Sequence, residues 1–223
     1  MEILYEDNHL IIVNKAVGEI VQGDKTGDEP LSETLKRYIK EKYNKPGEVF
    51  LGVTHRLDRP VSGVVVFART SKALERMNRL FADHAQIRKT YWAIVCGKPE
   101  SGEGTLEHYL VRNEKMNKSF AYDHEKPNSK KAILDYKVIA YGDRYSLLNV
   151  NLRTGRHHQI RCQLAAMGCP IKGDLKYGAP RSNPDGGISL HARSVEFVHP
   201  VQKIPVSVVA ELPEGDIWKK LLK

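Results

Sequence analysis

No stretch of the 223-residue chain approaches the run of about 18 apolar residues that a membrane-spanning helix requires, so a membrane is not an expected partner. The N-terminus, MEILYEDNHLIIVNK, carries acidic residues where a secretory signal has basic ones, and its apolar run from Leu10 to Val13 is too short for a signal core. Cysteine is scarce and odd in number. Cys96, Cys162 and Cys169 make a poor disulfide framework and suit a reducing compartment, so a cytoplasmic location is expected. Cys162 and Cys169 stand near His157 and His158, but no paired CxxC or HExxH spacing accompanies them, and no metal is expected. Internal repeats, low-complexity tracts and long Pro/Gly/Ser linkers are also missing, so residues 1–223 read as one domain.

What is present is a mild cationic excess. Lys and Arg number 35 against 27 Asp and Glu, a net charge of +8, which favours polyanionic partners and makes nucleic acid a candidate. The basic residues are dispersed, so an anion-binding surface must be assembled by folding. Hydrophobic content of 41% argues against disorder.

The chain alternates short strands with helices. LIIVNK, Leu10 to Lys15, reads as a buried strand, and GDKTGDEP as a loop. LSETLKRYIKEKY spaces Leu35, Tyr38 and Ile39 at helical intervals, with Ser32 as the expected N-cap and NKPG as its end. A strand, the charged turn HRLDRPVSG and a second strand through Val64 to Phe67 follow. SKALERMNRLFADH, Ser71 to His84, is an expected helix capped by Ser71, and KTYWAIVCG a strand. The polar stretch from Glu103 to Lys131 reads as an exposed, cation-rich hairpin or loop, and two strands joined near residues 141–144 come next. GRHHQIRCQLAAMG has Ile160, Leu164 and Met167 on one helical face and Gly168 as its C-terminal glycine, and the tail supplies further strands. One α+β domain is expected, with a mostly antiparallel mixed sheet flanked by helices and loops.

Three segments can carry chemistry. In HRLDRPVSG, Asp58 stands between Arg56 and Arg59 at a strand-to-strand connection; guanidinium groups on either side favour the ionised carboxylate that a nucleophile or base requires. A charged triplet alone is as readily a solvated, self-neutralised turn. Alternation along an extended segment puts Arg56 and Asp58 on one side and Arg59 on the other. In LRTGRHHQIRCQLAAMG, Arg153, Arg156 and Arg161 cluster around a glycine that opens a helix, where guanidinium and backbone N–H groups can converge on one anion. Arg161 sits at the edge of the apolar face, where a buried carboxylate partner is expected, with Asp58 as the candidate. In KTYWAIV, Tyr91 shares a strand face with Ala93 and Val95; it is a core aromatic or, beside Lys89, a stacking surface and proton relay.

Taken together, HRLDRPVSG, KTYWAIVCG, TGRHHQIRCQLAAMGCPIKGDLKYGA and SLHARSVEFVHP resemble the RluA-type family of RNA pseudouridine synthases, in the same order and over nearly the whole chain. The resemblance implies the pseudouridine synthase fold and isomerisation of uridine to pseudouridine in ribosomal or transfer RNA, with no metal or organic cofactor and the enzyme a monomer. It matches Asp58 to the family's nucleophilic aspartate, Tyr91 to its pocket tyrosine, Arg161 to the arginine paired with the aspartate, and Arg56 to the arginine that displaces the target base. The other basic side chains of these segments, His55, Arg59, Lys89, Arg153, Arg156 and His158, are expected to contact substrate RNA.

The sequence departs from the family pattern at Val61, where many members have Thr, and a changed local hydrogen bond is expected. The first core strand arrives within about ten residues, leaving no room for the small basic RNA-binding domain of some members. Two rivals stand beside this reading. One is an inactive RNA-binding module of the same fold. The other is a glycosidase, which requires two flanking carboxylates; Glu107, Asp135 and Asp174 are the candidate seconds, although Asp174, in KGDLKYG, reads better as a turn cap.

Overall fold

The computed structural model describes residues 1–83 and 85–222. In chain order the elements are β1 (Glu2–Glu6), β2 (Leu10–Lys15), α1 (Leu31–Lys42), β3 (Gly52–Val53), β4 (Ser62–Ala68), α2 (Ser71–Ala82), β5 (Ile87–Cys96), β6 (Glu103–Asn113), β7 (Lys118–Tyr122), β8 (Lys130–Tyr141), β9 (Tyr145–Leu152), α3 (Gln159–Ala166), β10 (Leu190–Val198), β11 (Pro205–Val209) and α4 (Asp216–Leu221). The architecture is α+β. The chain divides into two compact units, Met1–Ile87 with Arg193–Glu211, and Arg88–Ala192 with Leu212–Lys223.

In the first unit β2 pairs antiparallel with both β1 and β4, and β10 pairs antiparallel with β11. Being covered on both faces is why residues 10–13, LIIV, are an unbroken apolar run and not an alternating one. Ala73 and Met77 of α2 lie in one core with Leu10, Ile12, Val64, Val66, Phe197 and Val206. Two helix starts differ from expectation. At α1 the N-cap is Pro30, whose fixed φ suits the position but which offers no side-chain acceptor, and Ser32 is buried in the first turn. At α2 the cap is Thr70, one residue before Ser71, and its hydroxyl accepts from the Ala73 N–H at 3.1 Å. His84, at the end of the stretch read as this helix, lies outside the described residues.

In the second unit the strand order is β5-β9-β8-β6-β7, with antiparallel pairings throughout. The cation-rich stretch forms the β6–β7 hairpin and leads into β8. The tail ends in α4, not only strands: Trp218 packs with Ile94 and Leu147, burial strong enough to order a helix of six residues. Among the described residues, no helix is long and apolar enough to cross a membrane.

Candidate active site

Asp58 lies half-buried on the eight-residue connection between β3 and β4. Its carbonyl accepts from the Val61 N–H at 3.0 Å, closing a turn, and the Arg59 carbonyl accepts from the Gly18 N–H at 3.0 Å. Behind this turn, at the end of β2, the buried Lys15 ammonium donates to the carbonyls of Ala16 (2.9 Å), Arg59 (3.2 Å) and Val61 (2.6 Å). Burial pushes the Lys15 ammonium down to about 8, against the pull of the Glu19 and Asp58 carboxylates. Gly63, opposite Lys15 in the β2–β4 register, has φ +113°, a backbone that a side chain strains. The Val61 side chain is buried, and the turn is held by backbone and Lys15.

The other side chains of this connection go separate ways. Arg59 is exposed and pairs with Asp28 at 2.5 Å. Arg56 is exposed, and no described residue holds its guanidinium. His55 is half-buried: its Nε2 accepts from the Val66 N–H at 3.0 Å, while Thr54 Oγ1 donates to the Val66 carbonyl at 2.7 Å, and the imidazole stacks on Phe81 at 4.4 Å. Two side chains thus extend the short β3 pairing along β4.

In the second unit Arg161 is buried in α3 and meets a carboxylate 13 positions along the chain. Its Nε and Nη2 donate to Asp174 Oδ2 (2.7 Å) and Oδ1 (2.9 Å), and both residues are buried. Its Nη1 lies 3.1 Å from His158 Nε2; because a guanidinium only donates, that nitrogen accepts, and His158 Nδ1–H donates to Tyr177 Oη at 2.9 Å. Tyr177 Oη also accepts from the Ser119 N–H at 2.8 Å, its ring flanks Arg161 at 5.1 Å, and burial pushes its phenol up. His158 takes the left-handed conformation at the start of α3, with φ 51°. The turn before the helix is organised by Gln159, whose Oε1 accepts from the Arg156 N–H (2.9 Å) and from Thr154 Oγ1 (2.8 Å).

These contacts correct four expectations. The helix opens at Gln159, well after Gly155, and it is buried on almost every side instead of presenting one apolar stripe. The arginines of this segment are anchored on different acceptors: Arg153 on Asp135 at 2.6 Å, Arg156 on the Lys131 carbonyl at 3.0 Å, Arg161 on Asp174. The Asp174 side chain caps nothing; it precedes the short turn 175–177 without a capping bond and serves Arg161.

Tyr91 and Lys89 are both buried on one face of β5, with Tyr91 opposite Val150 of β9. Burial pushes the Lys89 ammonium down to about 8. The segment leading to Asp174 is stitched to the same strand: Cys96 N–H donates to Pro170 O (2.8 Å), Lys172 N–H to Ile94 O (2.9 Å), and Ile171 bridges Val95. Nearby, Cys162 is held as a thiol, pushed up to about 11 by burial, with its S–H directed at the Ser119 carbonyl. Lys15, Gln159 and Tyr177 carried no expected role in the sequence, and Asp174 carried a different one. For Lys15 the signal was present, as a lone cation at the end of a strand that begins with four apolar residues.

Comparison with known proteins gives these segments a context. Residues 9–166, which include Asp58, Tyr91 and Arg161, match the family model for RNA pseudouridylate synthase. The chain is 32% identical to a tRNA pseudouridine synthase C from Vibrio parahaemolyticus, covering 99% of this chain and 93% of that one. It is also 32% identical to a ribosomal large subunit pseudouridine synthase D from Zymomonas mobilis, over 96% of this chain and 70% of the relative. The solved structure of human RNA pseudouridylate synthase domain containing 4 superposes with a TM-score of 0.79 at 25% identity, covering 96% of this chain and 89% of that one. Shared motifs, shared fold and near-complete coverage agree, and the chain belongs to the RluA-type family of RNA pseudouridine synthases, a family of isomerases.

Proposed function

We propose that this enzyme converts uridine in a structured transfer or ribosomal RNA to pseudouridine, with Asp58 as the nucleophilic carboxylate. The observation that carries the assignment is the clamp on the Asp58 turn: a buried ammonium holds two carbonyls of the turn, so the carboxylate is presented on a rigid support. The reaction breaks N1–C1′, joins C5 to C1′, releases the C5 proton and leaves a proton on N1. It is redox-neutral and calls on no electron carrier.

A paired or stacked uridine hides its glycosidic bond and must be extruded, at a cost of roughly a few kcal/mol. Arg56, exposed beside the turn, suits displacement of the base, and Tyr91 supplies an aromatic face and a hydroxyl for relaying the C5 proton. Asp58 acts at the ribose or the base ring, with Arg161 as the cation the family pairs with it. Arg59, Arg153 and Arg156 are assigned to phosphate contacts, which make affinity salt-dependent, and Lys89, buried on the same strand face as Tyr91, to the extruded nucleotide. The buried His158 and the half-buried His55 act by holding Arg161 and β4.

The test is tritium release from unmodified RNA labelled at carbon 5 of uridine, with transfer and ribosomal RNA assayed separately. Release from one fraction identifies the RNA class. Salt-sensitive binding to both without release from either would instead support an inactive binding module.

A further inference from the structure

Arg161 is held by a partner that no sequence motif announced. Asp174 takes the guanidinium edge formed by Nε and Nη2 with two short hydrogen bonds, and His158 takes a contact at Nη1. A planar guanidinium gripped along one edge has a fixed plane, and its other edge, Nη1 with Nη2, is given one direction. Asp174 is itself rigidly placed. It follows Gly173, whose φ is +89° and where a Cβ would stand 2.7 Å from Asn183 Cγ and 2.8 Å from the Gly187 carbonyl. Upstream, residues 170–172 are bonded to β5.

A buried ion pair is a weak means of stabilising a fold, because desolvation offsets most of the attraction and an apolar pair of similar volume serves as well. Asp174 also forgoes the local capping bond that its position before a turn would allow. Its carboxylate is committed wholly to the orientation of one guanidinium.

We propose that Asp174 is a positioning residue for the isomerisation: it sets the plane and the facing edge of Arg161, so that losing it leaves the Arg161 charge in place without its aim. The inference rests on the reading that Arg161 works in the reaction.

The test compares single-turnover pseudouridine formation at saturating enzyme for the wild type, Asp174→Asn, Asp174→Glu, Arg161→Lys and the double variant Arg161→Lys/Asp174→Asn. RNA affinity and thermal melting are measured on each. Misaiming a group by about an ångström costs on the order of a hundredfold, so Asp174→Asn should slow turnover about 10- to 100-fold while RNA affinity stays within about twofold. Because Asp174 acts through Arg161, adding Asp174→Asn to Arg161→Lys should cost little more. An unchanged rate in folded Asp174→Asn, or two losses that multiply in the double variant, would overturn the proposal. Should Asp174→Asn not fold, Asp174→Glu decides, since it keeps the charge and moves it by one methylene: a slowed rate with RNA affinity kept supports the proposal, and a wild-type rate overturns it. A wild type silent on every RNA refutes the activity itself. An active wild type with an undiminished Arg161→Lys refutes the part given to Arg161, and the proposal with it.

Discussion

The Lys15 ammonium lies 2.6 Å from the Val61 carbonyl, and the Val61 N–H in turn closes on the Asp58 carbonyl at 3.0 Å. One buried cation at the end of a core strand therefore sets the turn that presents Asp58. Lys15→Met keeps the stem and takes the ammonium donor from three carbonyls, of which that of Arg59 keeps the Gly18 N–H, and this should destabilise the protein by about 1–3 kcal/mol. Urea unfolding would show this as a lower midpoint with an unchanged slope. Turnover should fall as well, because the turn loosens.

The pH dependence of that variant has a definite sign. Burial lowers the Lys15 ammonium to about 8 in the folded protein, whereas an unfolded lysine titrates near ~10.4. Between about pH 8 and 10 the unfolded chain binds the extra proton, so this group's contribution to stability rises with pH in that window and is lost as pH falls through 8. The stability advantage of the wild type over Lys15→Met should therefore widen from pH 8 to pH 10. Taking the difference cancels the three thiols, which desolvation shifts in the opposite sense. A gap that narrows over this range would show that the ammonium is not desolvated.

Gly173 is the residue least able to carry a side chain in the segment leading to Asp174. Gly173→Ala adds strain of roughly 1–3 kcal/mol from its positive φ alone, and its Cβ must push against Asn183 and the Gly187 carbonyl. Lower melting should be accompanied by slower turnover, since Asp174 moves with its neighbour. Thr70→Ala is the matched control: losing the α2 cap costs about 1 kcal/mol and should leave turnover unchanged.

The two arginines flanking Asp58 should separate cleanly. Arg59→Ala breaks an exposed pair with Asp28, and surface pairs of this kind contribute little, so melting should stay where it is while RNA affinity and its salt dependence fall with the phosphate contact. Arg56→Ala should also leave melting unchanged but slow turnover on folded RNA about tenfold, the equivalent of roughly 1.4 kcal/mol, with a smaller loss on an unstructured transcript. Equal losses on both RNAs would remove base displacement from the role of Arg56.

How much could be read in advance differs by element. The Asp58 connection was legible because strand patterning brackets it on both sides and three charges fall within residues 56–59. β2 was legible because a strand covered on both faces is continuously apolar. The Arg161–Asp174 pair was hidden: the partners lie 13 positions and two turns apart, and an Asp before a short turn carries the same signature whether its side chain caps that turn or reaches elsewhere. The hydrogen bonds of His55 to β4 and of His158 to Arg161 had no signal in one dimension, because tertiary neighbours set them. α4 escaped because six residues carry too little periodicity, and its order comes from Trp218 in the core.

The central claim is that the Asp58 carboxylate performs the isomerisation. Its most direct test is single-turnover tritium release from carbon-5-labelled RNA by the wild type and by Asp58→Asn, with RNA affinity measured in parallel. Release by the wild type, none by Asp58→Asn, and equal affinity are the predicted results. Undiminished release by a folded Asp58→Asn would contradict the account.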